Sequence, residues 1–555
     1  MIRTLTVLSV MALGLCACKP TERTALKKKQ QKVAAEAPAE TPAAPEQIEV
    51  AAAEPAEPAP LPQPPPAEPA PLPELPAAEV AAAPEQPAPA AEVQPAEPAH
   101  GIMVVRATLQ EYNQLQPWEK ETPRQARALG VFMGEGRVLT VGRAVRAATY
   151  VELMLPDDSR SVPARVLRYD EDTNLALLTV LHEEDAGIFD TRTALPLGEA
   201  LNRGDVATHA SLINGVEPVH VALRAEDAGG DTVPLMVMRA ERPLNEGLVG
   251  GSPVVRDGKL SALCMTYKKA DLQLSVVNAE IIQRFLTQES PGVPVVGVQL
   301  SPLDDPVFRQ YLKLDASATG LYISKVVPGS AAAEAGVQVG DVLTAVDGMP
   351  VDNQGRCNHP RYGLHGAAVL LRGIKDRGQE LLLTISRGGE TLEVMVKMNR
   401  AAVENALCKP EVPGSQPRYI MWGGMLFQPL SSTLLENLAG RNNGVLPLHL
   451  QELANREEEL RNKGYTELIG LTFVLPTAAT QGYDELRFSQ LLAVNGQQVN
   501  SFAELAALLD APTENGLIRL DFNKPPYTVY LDRATVDAVN TQLQSTAIPN
   551  LRVVE

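Results

Sequence analysis

Aromatic residues are scarce in this chain: 4% of its 555 positions, with 2 Trp, 12 Tyr and 9 Phe. Val, Leu, Ile and Ala must therefore supply most of the buried surface. Cysteine is nearly absent too, 5 in all. With no C-x-x-C pair and no His/Cys cluster at ligand spacing, neither a metal site nor a dense disulfide framework is expected, and nothing points to a cofactor. No apolar run reaches the ~20 residues that a membrane-spanning helix needs. Lysine and arginine vanish altogether between Val33 and Ala99, where the chain is almost wholly Ala, Pro and Glu. Proline denies helix and sheet their hydrogen bonds, and no apolar period there could build a core. A disordered, partly polyproline-II tether is expected, reaching about 200 Å at ~3.1 Å per residue. Its dozen or so glutamates carry most of the formal charge of −18. The remainder is nearly balanced, and no basic face suggests nucleic acid.

What is present begins at the N-terminus. "MIRTLTVLSVMALGLCACKP" has a basic Arg3, an apolar run from Leu5 to Ala17 and then a cysteine, the pattern of a secretory signal. Leu15-Cys16-Ala17-Cys18 resembles the bacterial lipobox. The resemblance implies a lipidated Cys18 as first residue of the mature chain, anchored to a membrane without spanning it. Lys19 rather than Asp after it implies sorting to the periplasmic face of the outer membrane. An ordinary cleaved signal with a chance cysteine is the alternative. Cys264, Cys357 and Cys408 remain; an oxidising envelope would permit a Cys357–Cys408 disulfide, which no spacing demands.

From Val104 onward, short apolar runs alternate with Gly, Pro and Asp turns. "ALGVFMGEGRVLTV" (128–141) predicts two strands around a Gly-Glu-Gly turn. "YVELML", "SVPARVLRY", "TNLALLTV", "TVPLMVMRA" and "KLSALCMTY" continue the pattern, as expected of a mainly β chain built from barrels or sandwiches. Asn278 predicts the cap of a helix whose apolar face is Ile281, Ile282 and Phe285.

The order of "GVFMGEGRVLTVGRAV", "YDEDTNLALLTV", "GLVGGSPVVRDGKLSAL" and "VVNAEIIQRFL" resembles the protease domain of the Deg/HtrA family, whose motifs read approximately L-T-x-x-H-V, D-(I/L)-A-L, G-N-S-G-G-P and I-P-x-x-x-I-x-x-F. "TGLYISKVVPGSAAAEAGVQVGDVLTAVDGMPV" (319–351) resembles that family's PDZ domain. There Ser330–Gly336 would give a short helix, "LHGAAVLLRGI" (364–374) the helix lining the peptide groove, and Arg387-Gly388-Gly389 a hairpin turn. From Tyr419 the pattern repeats more faintly, like the divergent second PDZ of plant organellar Deg proteases, with a charged helical insertion "LQELANREEELRNKGY" and a helix from about Ser501. The leader predicts a signal peptide over 1–17, and the composition predicts a tether over 18–100. By the resemblance, a trypsin-like double β-barrel would follow over 101–290, then a PDZ domain over 291–400 and a divergent PDZ-like domain over 415–555.

Acyl transfer by this family needs a His base, a carboxylate to orient it and a Ser nucleophile. Aligned on the motifs, those positions hold Arg143, Asn174 and Gly250. A guanidinium stays protonated and accepts no proton, and an amide cannot stabilise imidazolium. Ser252 lies two residues beyond the nucleophile position, about 6–7 Å in extended chain, and reads as a turn hydroxyl. His182, His209 and His220 do not occupy the base's strand-to-helix turn, and a Ser/Lys dyad using Lys259 would need coincidental geometry. The expectation is a pseudoprotease that binds polypeptide C-termini or unfolded envelope proteins in protein quality control, with trimerisation implied by family analogy. Amides around Val296, Gly297 and Val298 would take a carboxylate, the peptide would pair beside Val298–Leu300, and Leu364–Leu371 would wall the pocket. Two alternatives stay open: an active serine endopeptidase with a displaced site, and a purely structural lipoprotein.

Overall fold

The computed structural model describes residues 98–555, apart from 214–216, 230–231, 245–247, 290, 316, 514 and 555. The signal, the lipobox with Cys18 and the tether lie outside the described residues, as does the side chain of His220. Among the described residues no helix is long and apolar enough to cross a membrane.

Two closed barrels come first, each of six antiparallel strands. In the first, the strand Ile102–Leu109 pairs with both Arg124–Gly134 and Ala148–Met154, which closes the ring. The expected hairpin forms as Arg124–Gly134 and Arg137–Val141, and its turn places Glu135 and Gly136 at φ 53° and 69°. Inward-facing Val105, Val138, Val151, Leu153 and Leu178 fill most of the barrel, joined by the stacked Phe132 and Phe189 rings. The second barrel runs from Val206 to Asn278 and is capped by the helix Ala279–Thr287. Asn278 accepts from the amides of Ala279 (3.1 Å) and Leu201 (2.7 Å), and Ile281, Ile282 and Phe285 are buried as the periodicity requires.

A third sheet follows in the order Val298–Ser301, Leu321–Val326, Val342–Val346, Glu380–Arg387, Glu390–Lys397. Ser330 caps the helical turn Ala331–Glu334, accepting from the Ala333 amide at 3.3 Å. The helix expected over 364–374 is corrected here. Gly363–Gly366 is a strand paired with Arg356–His359, and the helix is the single turn Ala367–Leu370. Gly363 and Gly373, at φ 73° and 71°, bracket the segment and keep the helical pattern from extending either way.

The C-terminal sheet is ordered Thr528–Asp532, Leu517–Phe522, Ser489–Val494, Ile469–Val474, Met425–Pro429, Tyr419–Trp422, Arg552–Val553. Trp422, Phe427, Phe502 and Phe522 are buried together in its core. The insertion folds as two helices, Leu448–Asn455 and Glu457–Asn462, and Ser501 caps the helix Phe502–Asp510. A ribbon from the first barrel (112–120) packs here, with the Trp118 and Tyr419 rings 6.0 Å apart. Cys357 and Cys408 are not bridged: with Cys264 they are free thiols, and burial pushes them up to about 11, about 12 and about 12 respectively.

Candidate functional site

The structure brings Arg143, Asn174 and Gly250 together between the barrels. Arg143 sits in a 3₁₀ turn, Gly142–Ala144, immediately after the strand Arg137–Val141. Asn174, in the left-handed region at φ 53°, accepts from the Arg143 amide at 2.7 Å through Oδ1, while its carbonyl accepts from Gly142 N at 2.7 Å. Asn tolerates that conformation better than most residues. The Arg143 guanidinium reaches across to the second barrel and donates to the Met265 carbonyl. A Cβ on Gly250 would lie 3.0 Å from that guanidinium. The large side chain at 143 thus uses the space that a side chain at 250 would need. Gly250 itself anchors the loop through its carbonyl, which accepts from Leu129 N at 2.9 Å. Gly251, at φ 84°, has no alternative to glycine, because a Cβ there would stand 1.9 Å from the Leu129 carbonyl oxygen.

Ser252 is not the surface-turn hydroxyl its sequence context suggested. It is fully buried, with Oγ 2.5 Å from the Val249 carbonyl and 2.5 Å from Nε2 of His209, which is buried as well. The carbonyl can only accept, so the hydroxyl proton goes to Val249 and His209 Nε2 donates to Ser252. In that tautomer His209 is not a base toward Ser252. The pairing comes from the sheet, where Val254 is the register partner of His209. No local signal announces a contact between residues so far apart in sequence. His182 is exposed ahead of the turn Glu183–Phe189, and Lys259 is exposed in a hairpin turn, paired in register with Arg256.

The residues expected to line a peptide groove lie on neighbouring elements of the third sheet and the segment beside it. Val298–Ser301 is the edge of its sheet. The Val327 amide donates to the Gly297 carbonyl at 2.8 Å, so Val298 and Val326 are a non-hydrogen-bonded pair of the ladder. The N–H and C=O of Val298 therefore face the open edge. Val296 differs from expectation: it is buried, and its amide is already committed to the Leu371 carbonyl at 3.0 Å. Gly297 stands at φ 84° with Ser330 Cβ 2.3 Å from where its own Cβ would be. Leu300 is half-buried, Leu371 is buried at the end of the short helix, and Leu364 is 46% exposed on the neighbouring strand rather than on a helix. In the C-terminal sheet the corresponding strand, Met425–Pro429, has Tyr419–Trp422 along its other side, so it offers no such edge.

Two six-stranded barrels meeting at this cluster, followed by two sheet-and-helix domains, define a trypsin-like protease fold with PDZ domains. PDZ domain models match residues 408–552 and 322–356. The chain is 25% identical over 416 residues to the chloroplastic Protease Do-like 2 of Arabidopsis thaliana, covering 72% of this chain and 66% of that protein. It is 21% identical over 313 residues to the periplasmic pH-dependent serine endoprotease DegQ of Escherichia coli, covering 54% and 64%. Among solved structures, the HtrA-type protease AlgW with decapeptide is 18% identical at a TM-score of 0.39, covering 54% of this chain and 95% of that one. The chain is thus similar, over most of its described length, to Do-like and DegQ proteases of the Deg/HtrA family.

Proposed function

We propose that this is a pseudoprotease: a Deg/HtrA chain that binds polypeptides through its first PDZ domain and does not hydrolyse them, serving as a scaffold or regulator in envelope protein quality control. The observation that carries the reading is the Arg143 guanidinium. In the motif frame it stands where the mechanism needs a proton acceptor; it is bonded to the Met265 carbonyl and crowds the space beside Gly250. A permanently protonated group cannot take a nucleophile's proton. Peptide capture is supported by the open edge at Val298–Ser301, along which an extended ligand adds as a further strand.

Binding is tested with a C-terminal peptide library on wild type and Gly297→Trp. The substitution puts an indole where Ser330 already stands, and loss of binding in a folded variant is the expected result. Equal affinity would remove that groove from the account.

The rival, an active endopeptidase with a displaced site, draws on the Ser252–His209 contact. Full burial of both residues and the hydroxyl's bond to Val249 count against it.

The anchoring proposal rests on the leader and on Leu15–Cys18. Cys18→Ser should release the protein from membranes into the soluble fraction. Retention on membranes in high salt would remove lipid from the account.

A further inference from the structure

The helix Ala279–Thr287, which caps the second barrel, carries Glu280 and Arg284 four residues apart and so on one face. Glu280 accepts from the Arg361 guanidinium and from the Tyr362 hydroxyl. One turn on, Arg284 donates to the carbonyls of Gly373 and Ile374, the latter at 3.2 Å, and pairs with Asp376. Between these two grips lies the segment that walls the first PDZ groove, the single turn Ala367–Leu370. At its near end the hairpin tip is rigid, because His359 Nδ1 accepts from the amides of Arg361 (3.1 Å) and Tyr362 (3.3 Å). The Tyr362 ring is fully buried in the second barrel's own core, beside Leu244, Val249 and Cys264. At its far end Leu371 takes the Val296 amide and Arg372 bridges Val295. These contacts set the distance between wall and edge strand, and they adjoin the residues that Arg284 holds. A one-turn helix has little intrinsic stability, so its position must come from such anchors.

We propose that the helix Ala279–Thr287 is a clamp on the peptide groove, with Glu280 and Arg284 as positioning residues that hold 361–374 at the width an extended C-terminal peptide needs. The clamp keeps the groove formed before the ligand arrives, which spares the ligand the entropic cost of ordering it. Its bearing on affinity rests on the peptide-binding reading above; its bearing on the wall's rigidity does not.

The test uses the full chain and the variants Glu280→Gln, Arg284→Gln and the milder Tyr362→Phe. Amide hydrogen exchange is read at Ala367–Leu371 and, as a control, in the first-barrel strand Leu175–Val180. Affinity is read for the tightest peptide from the library. Glu280→Gln and Arg284→Gln should speed exchange at Ala367–Leu371 by about tenfold and weaken the peptide by about the same factor, with the control strand unchanged. Tyr362→Phe should do less of both. The swap Glu280→Arg with Arg361→Glu should restore exchange and affinity to within about threefold of wild type, a rescue that general loosening would not give. Unchanged exchange in Glu280→Gln and Arg284→Gln, equal acceleration in the control strand, or a swap that restores nothing would each overturn the clamp. If wild type binds no peptide at all, the peptide-binding reading fails, and the exchange arm still decides the clamp.

Discussion

Arg143 and Gly250 occupy one volume between them. With the guanidinium 3.0 Å from a Cβ at 250, Gly250→Ser makes the arginine give by a few tenths of an ångström and should lower stability by about 1 kcal/mol, the low end of overpacking costs. Arg143→His should relieve most of that, so the double variant should be more stable than Gly250→Ser alone when unfolding is followed in urea. Additive effects would mean the two residues do not share space. Ser252→Ala asks a different question. The turn-hydroxyl reading implies a loss of roughly half a kcal/mol, the surface value. Burial with bonds to Val249 and His209 implies about 1–3 kcal/mol, because the partners stay buried and lose their hydroxyl. A denaturation midpoint near wild type would contradict the structural role given to that pair.

Secondary elements were legible in the sequence wherever a physical rule acted locally. The Gly-Glu-Gly hairpin, the Asn278 cap, the helix starting at about Ser501 and the charged helical insertion all depend on neighbours in the chain. The segment 364–374 misled because its apolar spacing fits a helix, whereas the ladder with Arg356–His359 and the flanking glycines decide otherwise. Arg143, Asn174 and Gly250 were readable because motif frames mark their positions. His209 was not, because only the sheet register brings it to Ser252. The helix Ser432–Arg441 adds a pH-dependent element. Burial raises its Glu436 carboxyl from 4.5 to about 7, with the Glu171 charge adding and Arg146 opposing. The folded state then keeps a proton that the unfolded chain releases, so stability is full at low pH and falls as pH rises through about 4.5 to 7. The unfolding midpoint should drop between about pH 4.5 and pH 7 and level off above, and Glu436→Gln should flatten that drop. A Glu436→Gln profile parallel to wild type would assign the pH dependence to other groups.

At the scale of the whole molecule, each barrel makes side-chain contacts with one of the two C-terminal domains. One touches the 361–376 segment of the first PDZ domain through Glu280 and Arg284, and the other meets the C-terminal sheet through the 112–120 ribbon and Trp118. Such contacts need the fold and not the chemistry, which agrees with the pseudoprotease proposed above. The central claim is therefore tested by exposing purified wild-type protein to a fluorophosphonate probe and, separately, to unfolded casein. The account predicts no labelled serine and no cleavage, with Ser252→Ala indistinguishable from wild type in both assays. Casein turnover that Ser252→Ala abolishes, with the probe on Ser252, would contradict it and make this chain a protease with a displaced nucleophile.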